Sequence, residues 1–522
     1  MPHHHEPSPG VATDGTGSEK PPTSEKHTSN SGGSLQEGQI TTHQTQKPFT
    51  TLSAIGIGYG VTNTAVGVPL ILSTALPLGG TPLVFWGFLL MAAVGLATAT
   101  TLAELISAMP HPGGQYVWVN KLAPERYRRG LSYTTAMVSW IAAIAIGSSG
   151  NLSVPVNAFA IISLFHPDFV YKRWMGFVAF QIINIITCFG ACFENILPRL
   201  SKLLLLVNVL SVGAIIITLF AMSTYRTPDP NAASDTFFGI TNISGWPDGV
   251  AFIIGLNGAN WLFSCLDVAT HLAEEIPSPA TNIPKALIWT IVVGTVTGTL
   301  MCLAIVINLP PTPPPDSSYT GTEIFYRITD SKPATIALWT PVLFLVTASV
   351  WAVQTWQSRL AWTISRESGF PFHARFSKIY PAPFHTPIWS LVGSAAGIAL
   401  FGFLYLASEL AFNSLIATGI LLQYTSYSIP TILLLWKGRK NFGSVGPFWN
   451  PWGLGMLANL VMLAWTGTAF VFYCFPVKRD PNVGEVNYVS AVLVLVGVFV
   501  ASLWFCYAKG HYEVVEDVVV TD

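Results

Sequence analysis

The sequence predicts an all-α, polytopic membrane protein with twelve transmembrane helices, and three observations carry that prediction. Half of the 522 residues are hydrophobic (51%) and only 10% are charged, whereas soluble domains carry about 25% charged residues. The apolar residues come in long runs divided by short polar loops, and the runs reach the roughly 20 residues a spanning helix needs. Inside one run lies an aspartate, Asp267, and an ionisable group in hydrocarbon is costly enough to mark function. The formal net charge of −1 points away from nucleic acid.

Taken in order, residues 1–50 are rich in Ser, Thr, Gly, Pro and His, lack an apolar run, and read as a disordered cytoplasmic tail. No apolar core follows a basic start, so the first span must act as its own insertion signal. The membrane domain is expected over 51–508, with spans near 51–73, 82–108, 132–164, 174–194, 198–222, 246–272, 286–309, 335–362, 387–407, 410–436, 453–475 and 487–508. A short tail, 509–522, follows. An even number of spans puts both termini on one side. Thirteen Lys and Arg fall in the loops on that side and seven in the others, which orients both termini to the cytoplasm. The sequon Asn242-Ile-Ser244 lies on the opposite side, and Asn151-Leu-Ser153 falls within a span.

Six cysteines lie in or beside apolar runs. Cys188 and Cys192 share a helix face, but no His or second Cys pair accompanies them, so packed helix residues are expected rather than a metal pair. His3-His4-His5 in the tail carries no ligand spacing. No phosphate-binding glycine motif appears, which excludes ATP as a driver, and no nucleophile–base spacing supports an enzyme. No cofactor is expected.

Two spans are suspicious as helices. The first carries Gly56, Gly58, Gly60, Gly67 and Pro69 around Thr62-Asn63-Thr64. Glycine costs about 1 kcal/mol and proline about 3 kcal/mol in a helix interior. The sixth runs from Gly255-Leu-Asn-Gly258 through Trp261-Leu-Phe-Ser-Cys-Leu-Asp267 to His271. Small-residue packing between helices is the plainer explanation of the glycines, but it does not need the polar Thr-Asn-Thr. Paired interruptions at matching positions of two five-helix repeats point to a binding site at mid-membrane. Freed N–H groups there suit a carboxylate and freed C=O groups an ammonium, so a zwitterionic amino acid satisfies both. The candidates for substrate contact are Tyr59, Thr62, Asn63, Thr64 and Gly67 in the first interruption, and Trp261, Phe263, Ser264 and Cys265 in the sixth.

Several fragments then fall in a recognisable order: Leu102-Ala-Glu104-Leu, Pro110-His-Pro-Gly113-Gly114-Gln-Tyr-Val-Trp118, Phe263-Ser-Cys-Leu-Asp267 with Glu274-Glu275, Ser358-Arg359, Arg366-Glu367, Gly369-Phe-Pro371, Tyr427-Ser-Ile-Pro430 and Trp436-Lys-Gly-Arg439. Together they resemble the amino acid–polyamine–organocation permeases, nearest the fungal branch for amino acids, γ-aminobutyrate and choline, over nearly everything after residue 50. The resemblance implies a five-plus-five inverted repeat with two further helices, proton-coupled import of an amino acid or related small amine, and the plasma membrane as location. It puts Asp267 at the acidic position after the break, as a proton-coupling group; a structural acid bonded to freed backbone is the other reading. It puts Trp261 where the family has an aromatic gate, which could also face an ammonium, with helix packing as the alternative. Cys265 departs from the glycine usual in that break, which bears on specificity. Glu104, Glu274, Glu275 and Arg359 are expected in gating or structural ion pairs, and Gly113-Gly114 in a tight turn. Choline or another quaternary ammonium is the alternative substrate. A non-transporting nutrient receptor is a further alternative, with Lys20 and Lys26 in the tail as sites for ubiquitination beside phosphorylation.

Overall fold

The computed structural model describes residues 50–166, 168–193, 197–223, 232–309, 321–381, 383–443, 445–481 and 486–514. The tail features at His3-His4-His5, Lys20 and Lys26 lie outside these residues. Among the described residues every regular element is helical. The first half holds α1 (Thr51–Thr62), α2 (Thr64–Gly67), α3 (Leu72–Pro82), α4 (Phe88–Ala108), α5 (Gln115–Leu122), α6 (Glu125–Phe165), α7 (Arg173–Ala191), α8 (Leu197–Ser223), α9 (Ala232–Phe238) and α10 (Asp248–Trp261). The second holds α11 (Pro279–Val306), α12 (Gly321–Thr329), α13 (Lys332–Arg366), α14 (His373–Phe376), α15 (Ile388–Ala407), α16 (Glu409–Lys437), α17 (Trp452–Phe472), α18 (Val489–Leu503) and α19 (Lys509–His511).

Ten helical stretches among the described residues are long and apolar enough to cross a membrane. The fragments α1 and α2 are too short to count singly. Helix α16 is long enough but carries Gln423, Thr425, Ser426 and Ser428, and of these Gln423 serves the site. Outward faces are apolar: Leu203, Leu206 and Leu210 on α8 and Val494, Leu495 and Val498 on α18 are exposed. Water would not tolerate such a girdle, while lipid tails cover it at no cost. The chain is a multi-pass membrane protein.

Local sequence explains where helices start and bend. Thr50 and Ser53 cap α1 reciprocally, each side chain bonding the other's backbone N–H, which satisfies donors that have no intrahelical partner. The first apolar run does not end near 73: α3 carries it to Gly80, whose φ of 66° turns the chain into the next run. The backbone there needs a positive φ, which glycine supplies at least cost.

Helices α1, α4, α6, α11 and α13 pack around the interior, with α8 beside α1 and α16 beside α6. The first interruption falls at Asn63, which is left-handed (φ 41°) between α1 and α2. Asparagine tolerates this conformation better than most residues. The second falls at 262–265, after α10. Gly255 and Gly258, expected to weaken that helix, lie inside intact α10 against Leu78 and Ile71. The interruption ends on Cys265, left-handed at φ 62°, before a tight 3₁₀ turn, Leu266–Leu272.

Candidate transport site

The two interruptions cross beside one another. A Cβ on Gly67 would collide with the Leu262 side chain, so glycine is what allows the crossing. Thr64 Oγ1 donates to the Leu262 carbonyl at 3.3 Å, tying the two breaks together. Next to the crossing lies a cavity walled by Thr62, Asn63 and Gly67 from the first break and by Trp261, Ser264 and Cys265 from the second. Gly147 and Gly150 of α6 and Val346, Ser349 and Val350 of α13 complete it.

The wall is largely apolar and its polar groups are already oriented. Trp261 Nε1 donates to Ser149 Oγ at 2.9 Å, which fixes the indole plane. Ser264 Oγ donates to the Trp261 carbonyl at 2.7 Å. Asn63 Nδ2 donates to Ser349 Oγ at 2.9 Å, and its Oδ1 accepts from Asn208 Nδ2 at 2.7 Å. No arginine, lysine, aspartate or glutamate lines this cavity. Asn63 also borders a second cavity with Ser201 and Asn208 of α8.

Six of the nine residues expected at the substrate, Thr62, Asn63, Gly67, Trp261, Ser264 and Cys265, therefore share this wall. The other three stand behind it. The Tyr59 hydroxyl bonds Thr297 Oγ1 at 2.9 Å. Thr64 bridges the breaks. Phe263 is buried against Phe88, with ring centroids 5.2 Å apart. Ser149, Ser349 and Asn208 were not anticipated; a single hydroxyl or amide in an apolar run gives too weak a signal.

Asp267 lies two residues past the wall, fully buried. Its Oδ1 accepts from Tyr427 Oη at 2.7 Å and Gln423 Nε2 at 3.3 Å; its Oδ2 accepts from Gln115 Nε2 at 2.7 Å and faces His271 Nε2 at 3.3 Å. Gln423 also accepts the Cys265 N–H at 3.1 Å, so one amide joins the cavity wall to the acid. Gln115 and Tyr427 sit in sequence fragments already noted, and His271 follows Asp267 by four. Their convergence on one carboxylate is a tertiary fact.

The other acids take charged partners. Arg439 grips Glu104 with two bonds, 2.7 and 2.9 Å, and the Asn450 N–H adds a third at 2.9 Å. Glu275 pairs with Arg359 at 2.9 Å and Glu274 with Arg366 at 2.9 Å. These pairs link α4, α13 and the segments after α16 and the 3₁₀ turn. Gly114 takes φ 55° in the turn before α5, and the Gly113 N–H donates to His111 Nδ1 at 2.9 Å. Burial drives the His111 pKa down to about 3, helped by Arg366, Lys121 and His271. Just past α13, burial lifts the Glu367 carboxyl to about 8, against the opposing pull of the Tyr116 hydroxyl, Arg366 and the Tyr512 hydroxyl. Cys192 Sγ bonds back to the Cys188 carbonyl within its own segment, and no group of three or more potential metal ligands occurs among the described residues. Asn151 is buried and donates to the Phe180 carbonyl at 2.9 Å.

A helical bundle with an apolar girdle, and a cavity where two broken helices cross, fits a membrane transporter. The chain belongs to the amino acid permease family, whose sequence pattern matches residues 49–499, and so to the amino acid–polyamine–organocation permeases. It is 72% identical over 473 residues to a protein of Metarhizium robertsii named transmembrane transporter swnT, covering 91% of this chain and 94% of that one. It is 69% identical over 473 residues to the swainsonine transporter swnT of Arthroderma benhamiae, covering 91% and 93%. The choline transporter of Saccharomyces cerevisiae is 34% identical over 478 residues, covering 90% and 83%.

Proposed function

We propose that this protein is a proton-coupled secondary transporter that imports a small hydroxylated amine lacking a carboxylate. The observation that carries this reading is the cavity wall. It offers an indole face held in place by Ser149, two serines, a threonine and an asparagine, and no cationic side chain to pair a carboxylate. An ammonium is satisfied by an aromatic face and carbonyl oxygens, and substrate hydroxyls by Thr62, Ser264 and Ser349. Two relatives carry names of such amines, swainsonine and choline. Asp267, behind the wall, is the coupling group in this reading.

An amino acid such as γ-aminobutyrate is the second reading, favoured by the backbone N–H groups that begin α2 without a side-chain cap. Uptake of labelled swainsonine, choline and γ-aminobutyrate in permease-deficient cells, with and without an uncoupler, separates the two. Swainsonine or choline is expected to accumulate, to lose accumulation with the uncoupler, and to resist competition by neutral amino acids. Competition by those amino acids would favour the second reading. Binding without accumulation would make the protein a receptor. The Asp267→Asn variant should lose the pH dependence of uptake.

The same reading takes the bundle as twelve spans in a five-plus-five inverted repeat. In support, the broken helices are the first and the sixth run, one in each repeat. It places both termini in the cytoplasm, from the excess of Lys and Arg in the loops on that side. It places the protein in the plasma membrane, with the tail around Lys20 and Lys26 open to modification.

A further inference from the structure

We propose that the coupling proton is held between Asp267 and His271, so that the pair, and not the aspartate alone, is the proton-binding site; this rests on the proton-coupled reading above. The argument begins with which ring nitrogen carries hydrogen. His271 Nδ1 lies 2.7 Å from the Pro112 carbonyl. A carbonyl oxygen can only accept, so Nδ1 carries a hydrogen and donates it. The other nitrogen, Nε2, faces Asp267 Oδ2 at 3.3 Å. With Nδ1 protonated, a neutral ring presents only a lone pair there, and a lone pair against a carboxylate repels. The observed contact therefore needs one further proton between Nε2 and Oδ2.

Three neutral donors, Tyr427, Gln423 and Gln115, already bond the carboxylate. Both of its oxygens are thus acceptors, so Nε2 is the donor of the remaining contact and the shared proton sits on the imidazole. With the proton bound, Nδ1–H bonds Pro112, Nε2–H bonds Asp267, and the pair is neutral overall. With the proton gone to solvent, Nδ1–H still bonds Pro112, the pair carries one negative charge, and the Nε2 contact is lost.

No fixed charge competes for the site from the elements packed on it. On α13, Trp356 offers a ring 6.2 Å away, and Arg359 is committed to Glu275. On α4, Glu104 is committed to Arg439. On α16, Tyr427 and Gln423 donate to Asp267. On α1, Tyr59 turns to Thr297. The segment before α5 supplies Gln115 and His111, and the latter is neutral because its pKa is about 3; α11 brings no ionisable side chain into hydrogen-bond contact with the pair.

The pair is wired to both parts that must move. Gln423 connects Asp267 to the Cys265 N–H in the cavity wall. His271 holds the turn between α4 and α5 through Pro112. Gln423 is thus a positioning residue between cavity and proton.

The test uses the purified full-length chain in two arms. In proteoliposomes, swainsonine- and choline-driven proton movement is read with an internal pH dye, beside substrate counterflow, which moves no net proton. His271→Gln can still donate to Asp267 but binds no proton, so it should keep counterflow and lose proton movement and gradient-driven accumulation. His373→Gln, a change at a histidine of α14 whose ring meets Tyr507 Oη at 2.9 Å and no residue of the site, should keep both. Proton movement that survives in His271→Gln overturns the pair. Absence of proton movement in the wild type overturns the proton-coupled reading instead. The second arm is ¹⁵N-histidine magnetic resonance of the wild type. The His271 signal is assigned as the one missing from His271→Gln or, where that variant does not fold, as the one that moves in Tyr427→Phe. Nδ1 should stay protonated while Nε2 gains a proton toward the acid end of the pH range scanned and loses it toward the alkaline end. A bare Nδ1 or an unchanging Nε2 in that range overturns the pair.

Discussion

Asp267 and Glu104 are both fully buried acids in the same bundle, yet they are held in opposite ways. Glu104 is gripped by the guanidinium of Arg439, which stays charged at any physiological pH, and by a backbone N–H. Asp267 is held by a phenol, two amides and an imidazole. The first arrangement pairs a carboxylate with a guanidinium and suits a fastener; the second includes an imidazole, a group that can take up or release a proton, and suits a switch. A buried acid is therefore not informative until its donors are known. The sequence shows the acid and hides most of its partners: Gln115, Gln423 and Tyr427 lie more than a hundred residues from Asp267, and Arg439 from Glu104.

The comparison predicts a large asymmetry. Arg439→Ala leaves the Glu104 charge buried and unpaired and should cost about 3–5 kcal/mol, read as the unfolding midpoint in detergent. Replacing both Glu104 and Arg439 by Met should cost much less than the single change, because the unpaired charge is gone. If Arg439→Ala unfolds like the wild type, Glu104 is not a fastener. Tyr427→Phe removes one donor from Asp267 and leaves three, so it should cost about 1.5–3 kcal/mol, the range for a hydrogen bond to a charged group. A larger loss than that of Arg439→Ala would reverse the comparison.

Cys265→Gly should stabilise the protein by up to about 1 kcal/mol, since a non-glycine residue in the left-handed region costs about 1–2 kcal/mol and part of the gain is lost to the freer unfolded chain. The same change opens the cavity wall beside Trp261, so a bulkier quaternary ammonium should compete better for uptake. Unchanged competition would mean that Cys265 does not set specificity.

The smallest effect concerns a third acid, Glu367, which lies with Tyr116, Tyr512 and Arg366. Its neighbour Tyr512 is buried, bonds Ser132 Oγ at 2.9 Å, and has its carbonyl held by Arg129 at 2.7 Å. Burial raises the Glu367 carboxyl to about 8, so the folded form binds its proton more tightly than the unfolded chain does. Its contribution is complete below the ordinary carboxyl range and is lost as pH rises through about 8. Hydrogen exchange at Tyr512–Val514 should speed up across that interval and become flat in Glu367→Gln. A profile that is unchanged in the variant would detach the effect from this acid.

Much of the architecture was legible beforehand because hydrocarbon imposes a length and a composition on every spanning helix. The two interruptions were legible for a related reason: Asn63 and the Trp261–Cys265 stretch put polar or small residues where an apolar helix wants none. The exact break points were not. Gly255 and Gly258 looked like weak points and instead admit neighbouring side chains, because a glycine that breaks a helix and one that lets a helix come close have the same spelling. Tyr59, Thr64 and Phe263 were candidates by position in the chain, but helical and turn geometry points them away from the cavity.

The sequence by itself determined that this protein lives in a membrane, where its chain is interrupted, and which acids need partners. These are local properties, set by transfer energies and backbone propensities over a few residues. Only the tertiary structure decided that Gln115, His271, Gln423 and Tyr427 meet at Asp267, that Arg439 closes on Glu104, and that Trp261 is pinned by Ser149. Those contacts depend on how distant helices cross, and the crossing is fixed by close packing at residues such as Gly67, whose partner Leu262 lies 195 residues further along the chain.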